Sequence, residues 1–138
     1  MKSDIKSAKP ITFTERVEDW MRPYIKDVVD HPVFSTWAMT RAFENTSGML
    51  LEKYLDKGEE AVGYEVNVRH IAAAPLGADI KIVAKIKKVK SPLVITSLEA
   101  YCKDKKIGEG THAQYVMKKD SYKNYIARSK NGTRDRKK

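Results

Sequence analysis

Cysteine is almost absent from this chain, which has only Cys102 among its 138 residues. A single thiol can form neither an intrachain disulfide nor a thiol-based metal cluster, and its scarcity agrees with a reducing compartment. Long apolar runs are also missing. Residues 1–13, MKSDIKSAKPITF, lack the apolar core of a secretion signal, and no stretch is long enough to cross a bilayer. We therefore expect a soluble, cytoplasmic protein without a membrane partner.

Basic residues are abundant, but they are concentrated at one end of the chain. The formal net charge is +9, and residues 118–138 contain nine Lys and Arg against two Asp. We expect residues 1–118 to form the folded domain, and residues 119–138 to form a short helix and a basic, disordered tail. Such a tail can instead hold the phosphates of an anionic ligand. Only Tyr122 and Tyr125 interleave with its basic residues, so we expect no nucleic-acid partner.

The spacing of apolar residues predicts an α+β domain. Residues 10–17 form a candidate first strand, and residues 35–58 read as one helix that begins at Ser35 or Thr36 and ends near Gly58. Four further segments alternate like strands and are joined by short turns: 61–72, 79–90, 93–104 and 106–118. Short connections predict an antiparallel meander, and a single long helix must bury its apolar stripe on that sheet.

Glu44 occupies an unusual position on the predicted helix. The apolar stripe consists of Met39, Phe43, Leu50 and Tyr54. At 100° per residue, Glu44 lies between Leu51 on one side and Trp37 and Leu55 on the other. A carboxylate enclosed by apolar side chains loses hydration and its pKa rises, which suits a catalytic acid, base or nucleophile. The alternative is a glutamate that reaches solvent or pairs with Arg41.

His70 ends an apolar row in the first of the four strand-like segments. Within GYEVNVRH, residues 63–70, the side chains of Tyr64, Val66 and Val68 are predicted on one face, and His70 comes next on that face. An ionisable ring at this position predicts a pocket at the strand end, although a lone histidine there can also be structural. Thr36 is, in the same way, either part of a site or only a helix cap.

Three segments, VFSTWAMTRAFE, GYEVNVRHIAAAPLG and IGEGTHAQYVM, together resemble the hotdog-fold acyl-CoA thioesterases. The most similar subgroup is the fluoroacetyl-CoA thioesterase-like one, which has a Thr, a Glu eight residues later and a His twenty-six residues after the Glu. Thr36, Glu44 and His70 keep both intervals. Gly63, seven residues before the His, and the Gly-x-Gly-Thr-His of residues 108–112 also match. The resemblance covers residues 10–120.

This resemblance implies a fold, an assembly and an activity. The fold is the hotdog, a curved antiparallel sheet wrapped around one long helix, spanning residues 1–118 here. The assembly is a homodimer with active sites at the interface, and further pairing into tetramers is left open. The implied activity is hydrolysis of an acyl-CoA thioester, with Thr36, Glu44 and His70 as the catalytic residues and Gly63 at the substrate.

The chain departs from the subgroup at two places. Gln114 stands where the subgroup can have an arginine that helps to hold substrate, so that charge-assisted contact is missing or comes from elsewhere, for example the tail. We expect Gln114 itself to bind substrate. The segment before Thr36 is polar, with Asp27, Asp30 and His31. The fluorinated substrate is therefore not carried over.

The chemistry of a thioester assigns a role to each residue. Glu44 attacks the carbonyl or activates a water, His70 orients Glu44 and carries a proton to the leaving thiolate, and Thr36 donates a hydrogen bond. The backbone N–H of Gly63, or one at the helix start, helps to hold the oxyanion. Eight residues of helix rise about 12 Å, so either Thr36 lies in the loop before the helix and folds back, or the residues face one pocket from two protomers. We expect Thr36 and Glu44 to flank the thioester without a direct hydrogen bond within one chain.

Two other functions fit the same resemblance. A hotdog hydratase usually has an Asp/His pair and a characteristic motif that this sequence lacks. In a non-catalytic acyl-CoA-binding module, Glu44 and His70 would be structural and the ester would not be consumed. His31, His70 and His112 lack the spacing of metal ligands, so we expect neither a metal nor a cofactor.

Overall fold

The computed structural model describes residues 1–135, which form one antiparallel sheet packed against a long helix. The elements, besides 3-10 turns at Ser3–Ser7 and Asp19–Met21, are β1 (Ile11–Arg16), β2 (Tyr24–Ile25), β3 (Val29–Asp30), α1 (Thr36–Glu52), β4 (Glu59–His70), β5 (Asp79–Lys90), β6 (Leu93–Cys102), β7 (Lys105–Lys118) and α2 (Lys119–Asp135). Within this part of the chain, no helix is both long enough and apolar enough to span a membrane.

Five strands pair in the order β1–β5–β6–β7–β4. β5, β6 and β7 form the predicted antiparallel meander, β4 pairs with β7 at one edge, and β1 pairs with β5 at the other. β2 and β3 form a separate small hairpin between β1 and α1. The structure therefore confirms the predicted α+β architecture.

α1 lies across the inner face of the sheet, and its buried stripe forms the core with the inward side chains of the strands. Met39 and Phe43 are fully buried. Glycines on β7 allow this close approach: a Cβ on Gly108 would lie 2.3 Å from the sulfur of Met39, and one on Gly110 would lie 3.3 Å from the ring of Phe43. The helix is thereby held at a fixed height above β7.

The two ends of α1 differ in how well the sequence predicts them. Ser35 is the N-cap, because its hydroxyl accepts a hydrogen bond from the Ala38 N–H at 3.1 Å. The helix ends at Glu52, so the prediction that it continues to near Gly58 is wrong. Polar residues after Glu52 fold into turns instead, and Gly58 adopts a φ of 83°, which favours glycine and leads into β4.

β4 contains a bulge, with a shift in register between Gly63 and Glu65. On either side of the shift, Gly63 lies opposite Gln114 and Val66 lies opposite His112. Gly63 therefore shares the inner face of the sheet with these two buried polar side chains and faces α1.

The bulge changes the predicted faces of β4. Val66, Val68 and His70 alternate along one face, as predicted. Tyr64 does not share that face. Its ring contacts the ring of Tyr115 on the outer face, with centroids 5.3 Å apart. The prediction for Tyr64 is wrong because the extra residue of a bulge reverses the alternation locally.

α2 follows β7 directly, and the N–H of Lys119 donates to the carbonyl of Gly58 at 2.9 Å. The helix extends to Asp135, so much of the segment predicted as a tail is helical. The remainder of that predicted tail, residues 136–138, lies outside the described residues.

Candidate active site

Thr36 and His70 meet where α1 begins and β4 ends. A hydrogen bond of 2.9 Å joins the Thr36 Oγ1 to the His70 Nδ1. Because Ser35 caps the helix, the Thr36 hydroxyl is available for this contact, and the alternative that Thr36 is only a cap is wrong. We call these two residues the Thr36–His70 pair.

The imidazole of His70 is held at the end of the strand. The N–H groups of Ile71 and Ala72 both donate to the carbonyl of Ile107, which anchors the chain beyond the ring. The other ring nitrogen, Nε2, is buried and has no hydrogen-bond partner among the described residues. Burial lowers the pKa of His70. The lowered pKa favours the neutral ring.

Glu44 lies two turns further along α1, where its side chain is 47% exposed within one chain. The expected apolar enclosure is incomplete: Leu51 is fully buried, but Trp37 is 49% exposed. Glu44 is exposed because it lies near Gly63 on β4. β4 is an edge strand of the sheet, so this side of the carboxylate stays open. A ligand can therefore reach this carboxylate.

The imidazole next to Glu44 is that of His112. The His112 Nε2 lies 3.7 Å from the Glu44 Oε1, and the His112 side chain is only 3% exposed. The His112 Nδ1 is hydrogen-bonded to the Ser47 Oγ. Within the described chain, Glu44 makes no corresponding contact with His70, so the predicted meeting of these two side chains does not occur inside one chain.

Gly63 and Gln114 complete this second group. A Cβ on Gly63 would lie 3.3 Å from the His112 Nε2 and 3.7 Å from the Glu44 Oε1, so glycine keeps open the space beside both atoms. Gln114 is buried opposite Gly63, and its Oε1 lacks a hydrogen-bond partner in the described part of the chain. The group formed by Glu44, Ser47, Gly63, His112 and Gln114 is called the Glu44–His112 cluster below.

The Thr36–His70 pair and the Glu44–His112 cluster are separate within one chain. Thr36 and Glu44 are eight residues apart on α1, about 12 Å along its axis, and no hydrogen bond between their side chains is present in the described chain. Residues 1–135 also contain no group of three or more His, Cys, Asp or Glu side chains arranged to hold a metal ion.

A family model matches most of the chain. The model of the fluoroacetyl-CoA-specific thioesterases matches residues 17–120. The chain belongs to this family. The fluoroacetyl-CoA thioesterase of Streptantibioticus cattleyicolor is 29% identical to it over 85 residues, which are 62% of this chain and 61% of that protein. The match thus spans less than two thirds of the relative.

Solved structures similar to this member of the fluoroacetyl-CoA-specific thioesterase family confirm the predicted hotdog fold. A thioesterase superfamily member from Thermus thermophilus has a TM-score of 0.86 at 26% identity, covering 93% of this chain and 95% of that one. A fluoroacetyl-CoA thioesterase has a TM-score of 0.77 at 22% identity, covering 88% and 94%. A hot-dog-like protein from Thermanaerovibrio acidaminovorans has a TM-score of 0.82 at 18% identity, covering 88% and 90%.

The sequence alone assigns no role to two residues of the cluster, Ser47 and His112. His112 belongs to the Gly-x-Gly-Thr-His motif and is one of the three histidines without the spacing of metal ligands. The alternation of β7 offers a signal, because His112 shares a face with Gly108 and Gly110, which lie under the helix. Ser47 follows Glu44 by three residues and so lies on the same side of α1.

Proposed function

We propose that this protein hydrolyses an acyl-CoA thioester to the free acid and coenzyme A. The observation that carries the proposal is the hydrogen bond between Thr36 and His70, combined with an accessible Glu44 on the same helix. Membership of the family supports it. A solved variant of the related fluoroacetyl-CoA thioesterase is in complex with fluoroacetate and CoA, which supports an acyl-CoA substrate for this chain as well.

Glu44 is the proposed reacting carboxylate. It attacks the thioester carbonyl carbon or removes a proton from the water that does. Its half-exposed position allows a substrate to approach, and the absence of a side chain at Gly63 leaves room beside it. The N–H of Gly63 or an N–H at the start of α1 helps to hold the oxyanion, and the amide of Gln114 contacts the substrate.

The Thr36–His70 pair is proposed to act at the thioester itself. The neutral ring of His70 can accept a proton and then pass it to the sulfur of the departing coenzyme A. Thr36 fixes the ring by the hydrogen bond to Nδ1. When this bond breaks, the Thr36 hydroxyl donates a hydrogen bond to the acyl group. Both roles require the pair to face the same substrate as Glu44.

A homodimer would bring these groups together. Among the residues that the structure describes, no strand pairs with the outer edge of β4, and Tyr64 on it is 66% exposed. We propose that a second copy covers this edge, so that the Thr36–His70 pair of one protomer and Glu44 of the other face one thioester. The lone Cys102 is compatible with the reducing cytoplasm that we propose as the location of the protein.

The fluorinated acyl group of the relatives is not part of this proposal. In the hairpin before α1, Asp30 forms an ion pair of 2.7 Å with Arg22. Asp27 lies in the turn of the hairpin with a φ of 61°. The acyl preference must therefore be measured on a panel of acyl-CoA esters of different length and polarity.

The proposal is tested by measuring thiol release from that panel with the wild-type protein and the Glu44→Gln variant. We expect turnover of at least one ester by the wild type and a loss of about 100-fold or more in Glu44→Gln, since general acid–base groups typically contribute this much. Glu52→Gln, at the exposed end of α1, is the matched control. Full activity of Glu44→Gln would contradict the assignment, and binding of the esters without turnover by the wild type would favour a non-catalytic binding module.

A further inference from the structure

His112 is a buried imidazole that has no role in the hydrolysis proposed above. Its side chain is 3% exposed, and its Nε2 has no hydrogen-bond partner in the described chain. An unpaired polar atom in the interior is destabilising, so such atoms call for an explanation. The Nε2 faces Glu44 across 3.7 Å, which is too long for a hydrogen bond.

The hydrogen bonds of Ser47 determine which ring nitrogen of His112 carries the proton. The Ser47 hydroxyl donates to the carbonyl of Glu44 at 3.0 Å. A hydroxyl has one hydrogen, so the Ser47 Oγ must accept a hydrogen bond from the His112 Nδ1. With the proton on Nδ1, the lone pair of the neutral ring is on Nε2 and points towards the carboxylate of Glu44.

The environment of His112 favours the neutral ring. Burial lowers its pKa, and the negative charge of Glu44 opposes this effect. Glu44 is the charged group that faces the ring from α1. The other neighbours of the ring carry no titratable side chain. They are Ser47 of α1, Gly63 and Val66 of β4, Thr96 of β6 and Gln114 of β7.

Gly63 lies beside both groups. The position that a Cβ would take on Gly63 is 3.3 Å from the His112 Nε2 and 3.7 Å from the Glu44 Oε1. A side chain at residue 63 would therefore enter the space beside both atoms. A base and a carboxylate that face each other beside a residue without a side chain form a site for a polar hydrogen donor such as water.

We propose that His112, in place of Glu44, is the base that accepts the proton of the attacking water, while Glu44 orients this water and stabilises the imidazolium. The water oxygen bonds to the acyl carbonyl carbon as its proton moves to Nε2. Collapse of the tetrahedral intermediate breaks the bond from carbon to sulfur. The proton on Nε2 reaches the departing thiolate by way of His70, so that acid and thiol are formed and both rings end neutral. This inference rests on the proposed hydrolysis.

The test uses His112→Asn, because the Asn amide can replace the Nδ1–H donor towards Ser47 but provides no base at the position of Nε2. We expect kcat on the best acyl-CoA ester to fall about 100-fold or more with little change in KM. The wild-type kcat/KM should decrease as the pH falls through the lowered pKa of His112, since only the neutral ring accepts a proton. His112→Asn should lose this part of the acid limb. His31→Asn, at an exposed histidine, is the matched control.

The outcomes separate this inference from the proposed function. Loss of turnover in Glu44→Gln but not in His112→Asn would overturn the role of His112 and leave thioester hydrolysis standing, whereas no turnover by the wild type would overturn both. Nitrogen-15 NMR of the ring provides a readout that does not depend on activity. We expect a neutral His112 with the proton on Nδ1 at pH 7, and a proton on Nε2 at that pH would contradict the inference.

Discussion

At the scale of single residues, the inner face of the sheet uses the absence of a Cβ in two different ways. Gly110 permits backbone packing, because a Cβ there would lie 2.0 Å from the Asn67 carbonyl oxygen. Gly63 lies at the accessible edge and permits an approach to the Glu44–His112 cluster. The same type of residue thus serves stability at one position and access to a candidate site at the other.

Gly63→Ala should therefore reduce activity much more than stability. Its φ lies outside the left-handed region that favours glycine, so alanine adds no backbone strain, but the new methyl group would press on the His112 Nε2 at 3.3 Å. We expect kcat on acyl-CoA to fall by about 10-fold or more, with a change in unfolding free energy of less than about 1 kcal/mol. Thiol release and urea denaturation measure the two effects.

Gly110→Ala is the control for this prediction. Its methyl group has no space, so the variant should lose about 1–3 kcal/mol of stability or fail to fold. The prediction would be contradicted if Gly63→Ala were fully active or as unstable as Gly110→Ala. Either result would show that the missing side chain at Gly63 is not what gives access to the Glu44–His112 cluster.

At the scale of elements, α1 holds two histidines in the same way. Each imidazole lies on a neighbouring strand, contacts a hydroxyl of α1 through Nδ1 and buries an unpaired Nε2. The hydroxyls belong to Thr36 and Ser47, which are eleven residues apart and so point within about 20° of each other on the helix. One side of α1 therefore orients both rings, about 16 Å apart along its axis.

The sequence predicts α1 and the strands better than it predicts their contacts. Periodicity locates β5 to β7 and the start of α1, because each depends on residues close together in the chain. The Glu44–His112 contact depends on the register between β4 and β7 and on the bulge after Gly63, which no local pattern announces. The spacing of Thr36, Glu44 and His70 points to the family. It does not predict which of these side chains contact each other in the folded chain.

α2 is the element that the candidate site does not use. It follows β7 at the end of the strand remote from His70, and it contacts β7 and the carbonyl of Gly58. Truncation after Lys119 should therefore preserve most of the thioesterase activity and the unfolding midpoint, measured by thiol release and by thermal denaturation. A loss of activity with a raised KM would instead assign the basic residues of α2 to the phosphates of coenzyme A.

At the scale of the whole molecule, the distance between Thr36 and Glu44 limits how one substrate can reach both residues. The rise of about 12 Å between them along α1 is longer than a side-chain contact. A substrate can meet both groups only if they come from different copies or if its reacting atoms bridge the distance within one copy. These two arrangements make opposite predictions for mixed dimers.

Mixing Glu44→Gln with His70→Asn chains, by unfolding and refolding them together, distinguishes the arrangements. Each variant alone should be inactive. If each site combines the Thr36–His70 pair of one protomer with Glu44 of the other, a mixed dimer has one intact site, and a statistical mixture should recover about a quarter of the wild-type activity. If all three residues act within one chain, every site in the mixture carries a substitution and no activity returns. Sedimentation of the mixture checks that dimers have formed, so a dimeric but inactive mixture would refute the shared site.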